Sequence, residues 1–125
     1  MPTVLVVDDE FGIVDVLETI LTDEGYRVLT ACNGKQGLVK LSAEKPEVIL
    51  LDFMMPILGG GEMLRTMAAE PAYQRIPVIM MSSLSEEAVA KRCRGYAAFL
   101  HKPFRATAVL SAVARVLGAG ATDAA

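Results

Sequence analysis

The chain has 125 residues, 53% of them hydrophobic, which is enough for one domain with a buried core, and no apolar run approaches the ~20 residues that span a membrane. Its formal net charge is −3 without a basic cluster, which argues against direct binding of nucleic acid. The chain has a single histidine, which excludes most metal and catalytic sites that depend on several histidines. Cys32 and Cys93 are not at a metal-ligand spacing, and we expect both to be reduced.

Short apolar runs alternate with stretches of helical periodicity along the chain. Each run is too short for a buried helix and is bounded by turn residues or charges, which is typical of a strand. In chain order, the predicted elements are strand Thr3–Val7, a helix carrying Ile13–Leu21, strand Arg27–Ala31, helix Lys35–Glu44, strand Val48–Leu51, a helix ending near Ala69, strand Pro77–Met81, helix Glu86–Arg94, strand Ala97–Leu100 and helix Arg105–Leu117. This alternation predicts an α/β fold, a doubly wound parallel sheet of five strands with helices on both faces.

The final stretch, Gly118–Ala125, reads GAGATDAA, a small and polar composition typical of a frayed end or a linker. We therefore predict one domain over residues 1–118 and a flexible tail or linker stub over residues 119–125. No signal peptide precedes the first predicted strand, so we expect a cytoplasmic location.

Charged and hydroxyl side chains follow the predicted strands. Asp8 and Asp9 come after the first strand, Asp52 after the third, Ser82 after the fourth and Lys102 after the fifth. Parallel strands end at one edge of the sheet, where open α/β sheets bind their ligands, so these side chains should converge. Converging carboxylates repel one another unless a cation lies between them, and such oxygen ligands suit Mg²⁺. The lysine and the hydroxyl could bind phosphoryl oxygens, with Asp52 as a nucleophile that forms an acyl phosphate.

Each of these residues also has a more ordinary interpretation. An acidic pair after a strand is usually the start of a helix, where the carboxylates cap N–H groups. An Asp or a Ser-Ser pair after a strand is mostly turn chemistry, and Lys-Pro is mostly a helix start. Coincidence explains the five residues poorly, because they occur together, in this order and at these strand ends.

The motifs around these residues resemble those of the receiver domain of bacterial two-component response regulators. The resemblance runs from about Thr3 to Leu117 and is carried by VLVVDDE, GYRVLTACNG, ILLDFMMP, PVIMMSS and FLHKPF. It implies a flavodoxin-like (β/α)5 fold with strand order 2-1-3-4-5, similar to that of the single-domain chemotaxis regulators.

The resemblance implies a magnesium site. Asp9 and Asp52 would bind Mg²⁺ through their carboxylates, Met54 through its backbone carbonyl, and Asp8 through water. It implies no organic cofactor.

The resemblance also assigns the phosphoryl chemistry and the switch. Asp52 would accept the phosphoryl group, and Lys102 and Ser82 would hold its oxygens. Ser82 would move inward and Phe99 would follow it, which is a population shift driven by contact with the phosphoryl group. A cis peptide bond between Lys102 and Pro103 is a further expectation from the family.

The implied donor is a phosphohistidine on a sensor histidine kinase or a histidine phosphotransfer protein. Such a domain catalyses only its own phosphorylation and dephosphorylation and is not an enzyme with an external substrate. Phosphorylation would alter the surface of the fourth helix, fifth strand and last helix, which would contact a downstream protein or a second copy. The domain itself would bind neither membrane nor nucleic acid, and a DNA-binding function would need a further domain after Leu117.

Three other functions fit parts of the pattern. A receiver-like fold could act as an interaction module without phosphorylation, which the intact acceptor, acidic pair, hydroxyl and lysine argue against. A flavodoxin-type cofactor site would need a phosphate-binding loop after the first strand, where Asp8, Asp9 and Glu10 would repel phosphate. A phosphatase with an aspartyl nucleophile would place a second acid two residues after Asp52, where this chain has Met54.

Two further expectations concern output and lifetime. The predicted outward positions of the last helix carry one charge and are Thr107, Ala108, Ser111, Ala112, Ala114 and Arg115. Together with Arg94 and Tyr96, this face is predicted to dock a partner. Met54 and Leu84 cannot orient a hydrolytic water by hydrogen bonding, so slow self-dephosphorylation is expected.

Overall fold

The computed structural model describes the backbone of residues 1–124 and the side chains of residues 1–118. The strands are β1 (Thr3–Val7), β2 (Arg27–Ala31), β3 (Val48–Asp52), β4 (Val78–Ser82) and β5 (Ala98–His101). The helices are α1 (Phe11–Asp23), α2 (Gly34–Glu44), α3 (Gly60–Ala68), α4 (Glu86–Ala90) and α5 (Ala106–Ala124), with a short 3₁₀ helix at Pro71–Tyr73. Strands and helices therefore alternate along the chain as the sequence predicted.

The five strands form one parallel sheet in the order β2-β1-β3-β4-β5, which confirms the predicted flavodoxin-like topology. All residues of β1, β3 and β4 are buried, because helices cover both faces of the middle of the sheet. The two edge strands β2 and β5 include exposed residues. The sheet thus has a buried centre and two more accessible edges.

Two hydrophobic cores lie on opposite faces of the sheet. Successive side chains of a strand point to opposite faces, so Leu50 contributes to the core beneath α1 and α5, whereas Leu51 contributes to the core shared with α2 and α3. Among the described residues, no helix combines the length and apolarity needed to cross a membrane.

The helix α4 ends at Ala90, four residues before the predicted end at Arg94. The backbone N–H groups of both Arg92 and Cys93 donate to the carbonyl of Val89, so the chain tightens there and leaves the helical path. Gly95 follows with a φ of +95°, a conformation that glycine adopts at little cost.

Ala112 does not lie on the outer face of α5, contrary to the prediction. It is 5% exposed and packs in the core with Val109, Val113 and Val116. These four positions are spaced i, i+3, i+4 and i+7, which places them on one helical stripe. The other predicted outward positions are exposed, namely Thr107, Ala108, Ser111, Ala114 and Arg115.

The helix α5 continues past its predicted end at Leu117 to Ala124. The predicted flexible tail covers residues 119–125. Their side chains and the backbone of residue 125 lie outside the described part of the chain, so the flexibility of this segment stays a prediction.

Candidate functional site

The carboxyl ends of the strands bring the predicted site residues together. Asp52 and Ser82 are the last residues of β3 and β4, while Asp8 and Lys102 directly follow β1 and β5. Backbone hydrogen bonds extend the strand pairing to these positions, because the N–H of Asp8 donates to Ala31 at 3.1 Å and that of Lys102 donates to the carbonyl of Ser82 at 2.8 Å. The parallel sheet therefore fixes the backbone of all four residues at the end of the sheet where the strands have their carboxyl termini.

Three carboxylates converge at this edge. One oxygen from each of Asp8, Asp9 and Asp52 lies within 4.8 Å of the other two. Asp8 is 1% exposed and Asp52 is 5% exposed, whereas Asp9 is exposed. Burying charged groups is costly unless a counter-charge or a metal compensates them, so this cluster requires positive charge. Three oxygen donors with one open side are a ligand set that suits a hard divalent cation.

Lys102 supplies one positive charge to the cluster. Its Nζ lies 2.7 Å from Oδ2 of Asp8, 3.3 Å from Oδ1 of Asp52 and 3.6 Å from Oε1 of Glu10, and its side chain is only 11% exposed. The ammonium thus sits against both buried carboxylates. Glu10 was not among the predicted site residues, although it directly follows Asp8 and Asp9 in the acidic triplet DDE after the first strand.

The charges shift the pKa values of Asp52 and Lys102. Burial, and then the neighbouring charge of Asp8, raise the pKa of Asp52 to about 7, although Lys102 opposes the shift. Burial alone would lower the pKa of Lys102, but the hydrogen bond to Asp8 and the charges of Asp52 and Asp8 outweigh it and raise this pKa above its ordinary value. Lys102 is therefore charged at neutral pH, and the charge of Asp52 depends on further positive charge near it.

The acidic pair does not act as a side-chain cap of α1. The helix begins at Phe11 with Glu10 as its N-cap, and the side chain of Glu10 makes no capping hydrogen bond. Asp8 accepts a hydrogen bond at 3.0 Å from the N–H of Glu10, outside the helix, and otherwise binds Lys102. The ordinary interpretation of this pair as a helix cap therefore does not account for Asp8 and Asp9.

Ser82 is buried at the end of β4, with 2% of its surface exposed. Its Oγ accepts a hydrogen bond at 3.0 Å from the backbone N–H of Leu84. A hydroxyl also carries one hydrogen to donate, so this arrangement leaves the O–H of Ser82 able to donate toward the cleft.

A cleft of about 300 Å³ opens over the buried carboxylate. Its lining residues are Glu10, Ile13, Asp52, Met54, Ser82, Ser83, Lys102 and Pro103. The peptide bond between Lys102 and Pro103 is cis, as predicted. Phe99 lies outside this cleft, half-buried, with its ring centroid 6.2 Å from that of Tyr96.

Gly60 allows the loop after β3 to fold back against Asp52. A Cβ at position 60 would lie 2.4 Å from the backbone oxygen of Asp52, closer than real Cβ atoms approach. The N–H of Gly60 donates to the carbonyl of Phe53 at 3.0 Å, which closes the loop. A larger residue at position 60 would therefore require the backbone at Asp52 or in this loop to shift.

Comparisons with known proteins agree with this geometry. The response regulator receiver domain family matches residues 4–114. Sporulation initiation phosphotransferase F of Bacillus subtilis is 33% identical over 116 residues, which cover 91% of this chain and 92% of that protein. The chain spans only 33–52% of the length of several transcriptional regulators that it also matches.

Solved structures show the same fold. The Vibrio cholerae chemotaxis protein CheY4 has a TM-score of 0.88 and 30% identity, over 93% of this chain and 98% of that one. The receiver domain of the sensor histidine kinase PA1611 of Pseudomonas aeruginosa, with a magnesium ion coordinated in its active site cleft, has a TM-score of 0.88 and 26% identity over 94% of this chain and 98% of that one. Sheet topology, site geometry and sequence all point the same way, and the chain belongs to the family of response regulator receiver domains.

Proposed function

We propose that this receiver domain accepts a phosphoryl group on Asp52 in a reaction that depends on Mg²⁺. The single observation that carries the proposal is the ammonium of Lys102 between the buried carboxylates of Asp8 and Asp52, under an open cleft. A carboxylate that only stabilised the fold would gain nothing from an open cleft. A nucleophile needs one, because its oxygen must reach a donor.

The proposed donor is a phosphohistidine on a sensor histidine kinase or a histidine phosphotransfer protein. An oxygen of the Asp52 carboxylate attacks the phosphorus and forms an acyl phosphate. The bond from phosphorus to the imidazole nitrogen of the donor breaks, and the imidazole leaves with that electron pair. The domain thus catalyses its own phosphorylation and, with water as the acceptor, its own dephosphorylation, and acts on no other substrate.

Asp9 and Asp52 are proposed to hold Mg²⁺ through their carboxylates, Met54 through its backbone carbonyl and Asp8 through water. The convergence of three carboxylate oxygens within 4.8 Å supports this set. When bound, the ion neutralises charge on the phosphoryl oxygens and on Asp52. The raised pKa of Asp52 fits this role, since nearby positive charge is what returns the group to its ionised, nucleophilic form.

Lys102 and Ser82 are proposed to bind the oxygens of the transferred phosphoryl group. The Lys102 ammonium already lies 3.3 Å from an oxygen of Asp52, so it can contact a group attached there by a small movement. Ser82 lines the same cleft and has a hydroxyl hydrogen to donate. Both contacts exist only once the phosphoryl group is present, which allows them to shift the population of conformers.

The output is proposed to be a rearrangement in which Ser82 moves toward the phosphoryl group and Phe99 turns inward after it. This changes the surface of α4, β5 and α5, which then docks a downstream protein or a second copy. The exposed positions of α5 take part, but Ala112 does not, because it is buried. We place the domain in the cytoplasm, without membrane or nucleic-acid contact of its own.

Treatment with acetyl phosphate and Mg²⁺, followed by intact-mass measurement, tests the proposal. The protein should gain the mass of one phosphoryl group, Asp52→Asn should gain none, and chelation of the metal should suppress labelling. Asp15→Asn is the matched control, since Asp15 is an exposed carboxylate on α1, and it should label normally. Full labelling of Asp52→Asn would contradict the assignment and would favour an interaction module that works without phosphorylation of Asp52.

A further inference from the structure

His101 is the only histidine of the chain and has no part in the proposed phosphoryl transfer, yet it contacts the segment that carries Ser82. Its Nε2 lies 3.0 Å from the backbone carbonyl oxygen of Ser83. A carbonyl oxygen can only accept, so the hydrogen of this bond resides on Nε2 and His101 is the donor. The side chain at the end of β5 therefore holds the chain just after β4.

The hydrogen bond between His101 and Ser83 lies just beyond the paired part of β4 and β5. Ser82 pairs with His101 across β4 and β5, and the carbonyl of Ser82 accepts the N–H of Lys102 at 2.8 Å. Ser82 is also the last residue of β4, so the chain leaves the sheet at Ser83. The hydrogen bond of His101 thus adds a second attachment one residue further along, where strand pairing has ended.

This attachment acts on the turn that orients the Ser82 hydroxyl. The Oγ of Ser82 accepts the N–H of Leu84 at 3.0 Å, and Ser83 lies between these two residues. The carbonyl of Ser83 and the N–H of Leu84 belong to the same planar peptide unit, so holding this carbonyl restrains the N–H that bonds the Ser82 hydroxyl. Ser82 and Ser83 line the same cleft as Asp52, so movement of this turn changes the position of the hydroxyl relative to the acceptor.

We propose that His101 is a positioning residue for phosphoryl transfer, which keeps the Ser82 hydroxyl beside Asp52 by holding the carbonyl of Ser83. This inference rests on the proposed function of Asp52 and adds to it a residue outside the reacting groups. Among the described residues, no hydrogen bond or ion pair joins His101 to the acceptor or to the proposed metal ligands, so its effect is transmitted through Ser82.

The first experiment measures the rate at which acetyl phosphate with Mg²⁺ labels Asp52. His101→Leu removes the donor and should slow labelling by about threefold to tenfold, the size expected when one hydrogen bond no longer holds a group in place. His101→Gln retains an N–H donor at the far end of the side chain and should stay within about twofold of the wild type. Gln74→Leu is the matched control, because it removes another exposed side-chain N–H donor, which bonds the carbonyl of Ala68 at 3.0 Å and lies away from the cleft, and it should label like the wild type.

A double-mutant cycle distinguishes positioning from a general structural effect. If His101 acts through the Ser82 hydroxyl, His101→Leu should have no further effect in a Ser82→Ala background. An equal slowing by His101→Leu in both backgrounds would overturn the proposal. So would normal labelling of His101→Leu, or a failure of His101→Gln to restore the rate.

Hydrogen exchange at the Leu84 amide gives a readout that needs no phosphoryl transfer. His101→Leu should accelerate this exchange by at least about threefold, while amides of β3 keep their protection. Unchanged exchange at Leu84 would overturn the attachment itself. Absence of labelling in the wild-type protein would instead contradict the proposed function, so the two failures are distinguishable.

Discussion

The site has two halves, which come from different strands of the sheet. The carboxylate half, Asp8, Asp9 and Asp52, belongs to the ends of β1 and β3 at the buried centre of the sheet. The other half consists of Ser82, Phe99 and Lys102 and is named the switch half after its proposed role. It belongs to β4 and β5, where β5 is an edge strand and the helix that connects the two strands, α4, has only five residues.

The difference between the halves fits their proposed tasks. An acceptor carboxylate works best when its position is fixed before the donor arrives, and fully buried central strands provide that. A switch must rearrange at low cost, and a short helix beside an edge strand has few contacts to break. Lys102 is the link between the halves, because it comes from the switch half but binds both buried carboxylates.

Lys102→Met breaks this link and should lower the free energy of unfolding strongly. Removing the ammonium leaves Asp8 and Asp52 buried without their counter-charge, and loss of one partner from a buried pair costs about 3 to 5 kcal/mol. Urea unfolding at pH 8 without Mg²⁺ should show this loss. Adding Asp8→Asn to Lys102→Met should recover much of it, because one buried charge is then removed. Equal stability of Lys102→Met and the wild type would mean that the halves are not linked through this ammonium.

In the absence of metal, the ionisation of Asp52 should make the free energy of unfolding depend on pH. Its pKa is about 7 in the folded protein against 3.8 for an ordinary aspartate, so the folded state binds this proton more tightly. The stability that the proton provides is complete below about pH 4 and is lost as the pH rises through about 7.

Asp52→Asn cannot ionise, so it should be more stable than the wild type by about 2 to 4 kcal/mol above pH 7. The two proteins should be nearly equal near pH 4. Urea unfolding in EDTA across this range measures the difference, with Asp15→Asn as the control that should show no such pH dependence. A difference that stayed constant with pH would contradict the raised pKa.

Added Mg²⁺ should raise the stability of the folded protein by binding to the carboxylate half. The size of this gain in variants shows which carboxylates bind the ion. At a concentration about ten times the Kd, binding to the folded state alone contributes about 1.4 kcal/mol. Asp9→Asn should lose most of this gain in a thermal melt, while Glu10→Gln, the adjacent acid, should retain it. Equal losses in the two variants would indicate nonspecific attraction of the ion to acidic residues.

A weaker effect is expected beside the switch half, at Tyr96, whose ring centroid lies 6.2 Å from that of Phe99. Its hydroxyl donates to Oε2 of Glu86 at 3.2 Å and so joins the segment before β5 to the first turn of α4. Tyr96→Phe should lower the free energy of unfolding by only about 0.5 kcal/mol. Amide exchange in α4 should nevertheless become faster, whereas Tyr26→Phe, in contact with the opposite core, should leave α4 unchanged. Unaltered exchange in both variants would mean that this hydrogen bond does not hold α4.

The strands could be predicted to within one residue at each end, because an apolar run of four or five residues between turn residues is too short for a buried helix and is typical of a strand. The strand order and the cis bond at Lys102 and Pro103 followed from the family resemblance. Convergence of the site residues followed from their positions at strand ends, since parallel strands share one edge.

The errors have local physical causes. Ala112 was placed on the surface because alanine carries little information about burial, yet the i, i+3, i+4 spacing with Val109 and Val113 already included it. The predicted helix α4 is too long because Lys91 and Arg92 are compatible with a helix, and no residue before Gly95 signals the double hydrogen bond to the carbonyl of Val89 at which the helix ends.

The contacts of Lys102 were also beyond sequence reasoning. The sequence indicated that the carboxylates need a cation and that a lysine lies nearby, but not that this lysine pairs with Asp8, 94 positions away, at 2.7 Å. Pairing of that kind depends on rotamers and distances that only the folded chain defines.

The position of the phosphoryl group on the chain shows whether Asp52 is the acceptor. After labelling with acetyl phosphate and Mg²⁺, reduction with borohydride converts an aspartyl phosphate to homoserine, which peptide mass spectrometry can assign to one position. We expect homoserine at position 52 alone, with Asp8 and Asp9 unchanged. Homoserine at position 8 or 9, or a stable phosphate on Ser82 or His101, would contradict it.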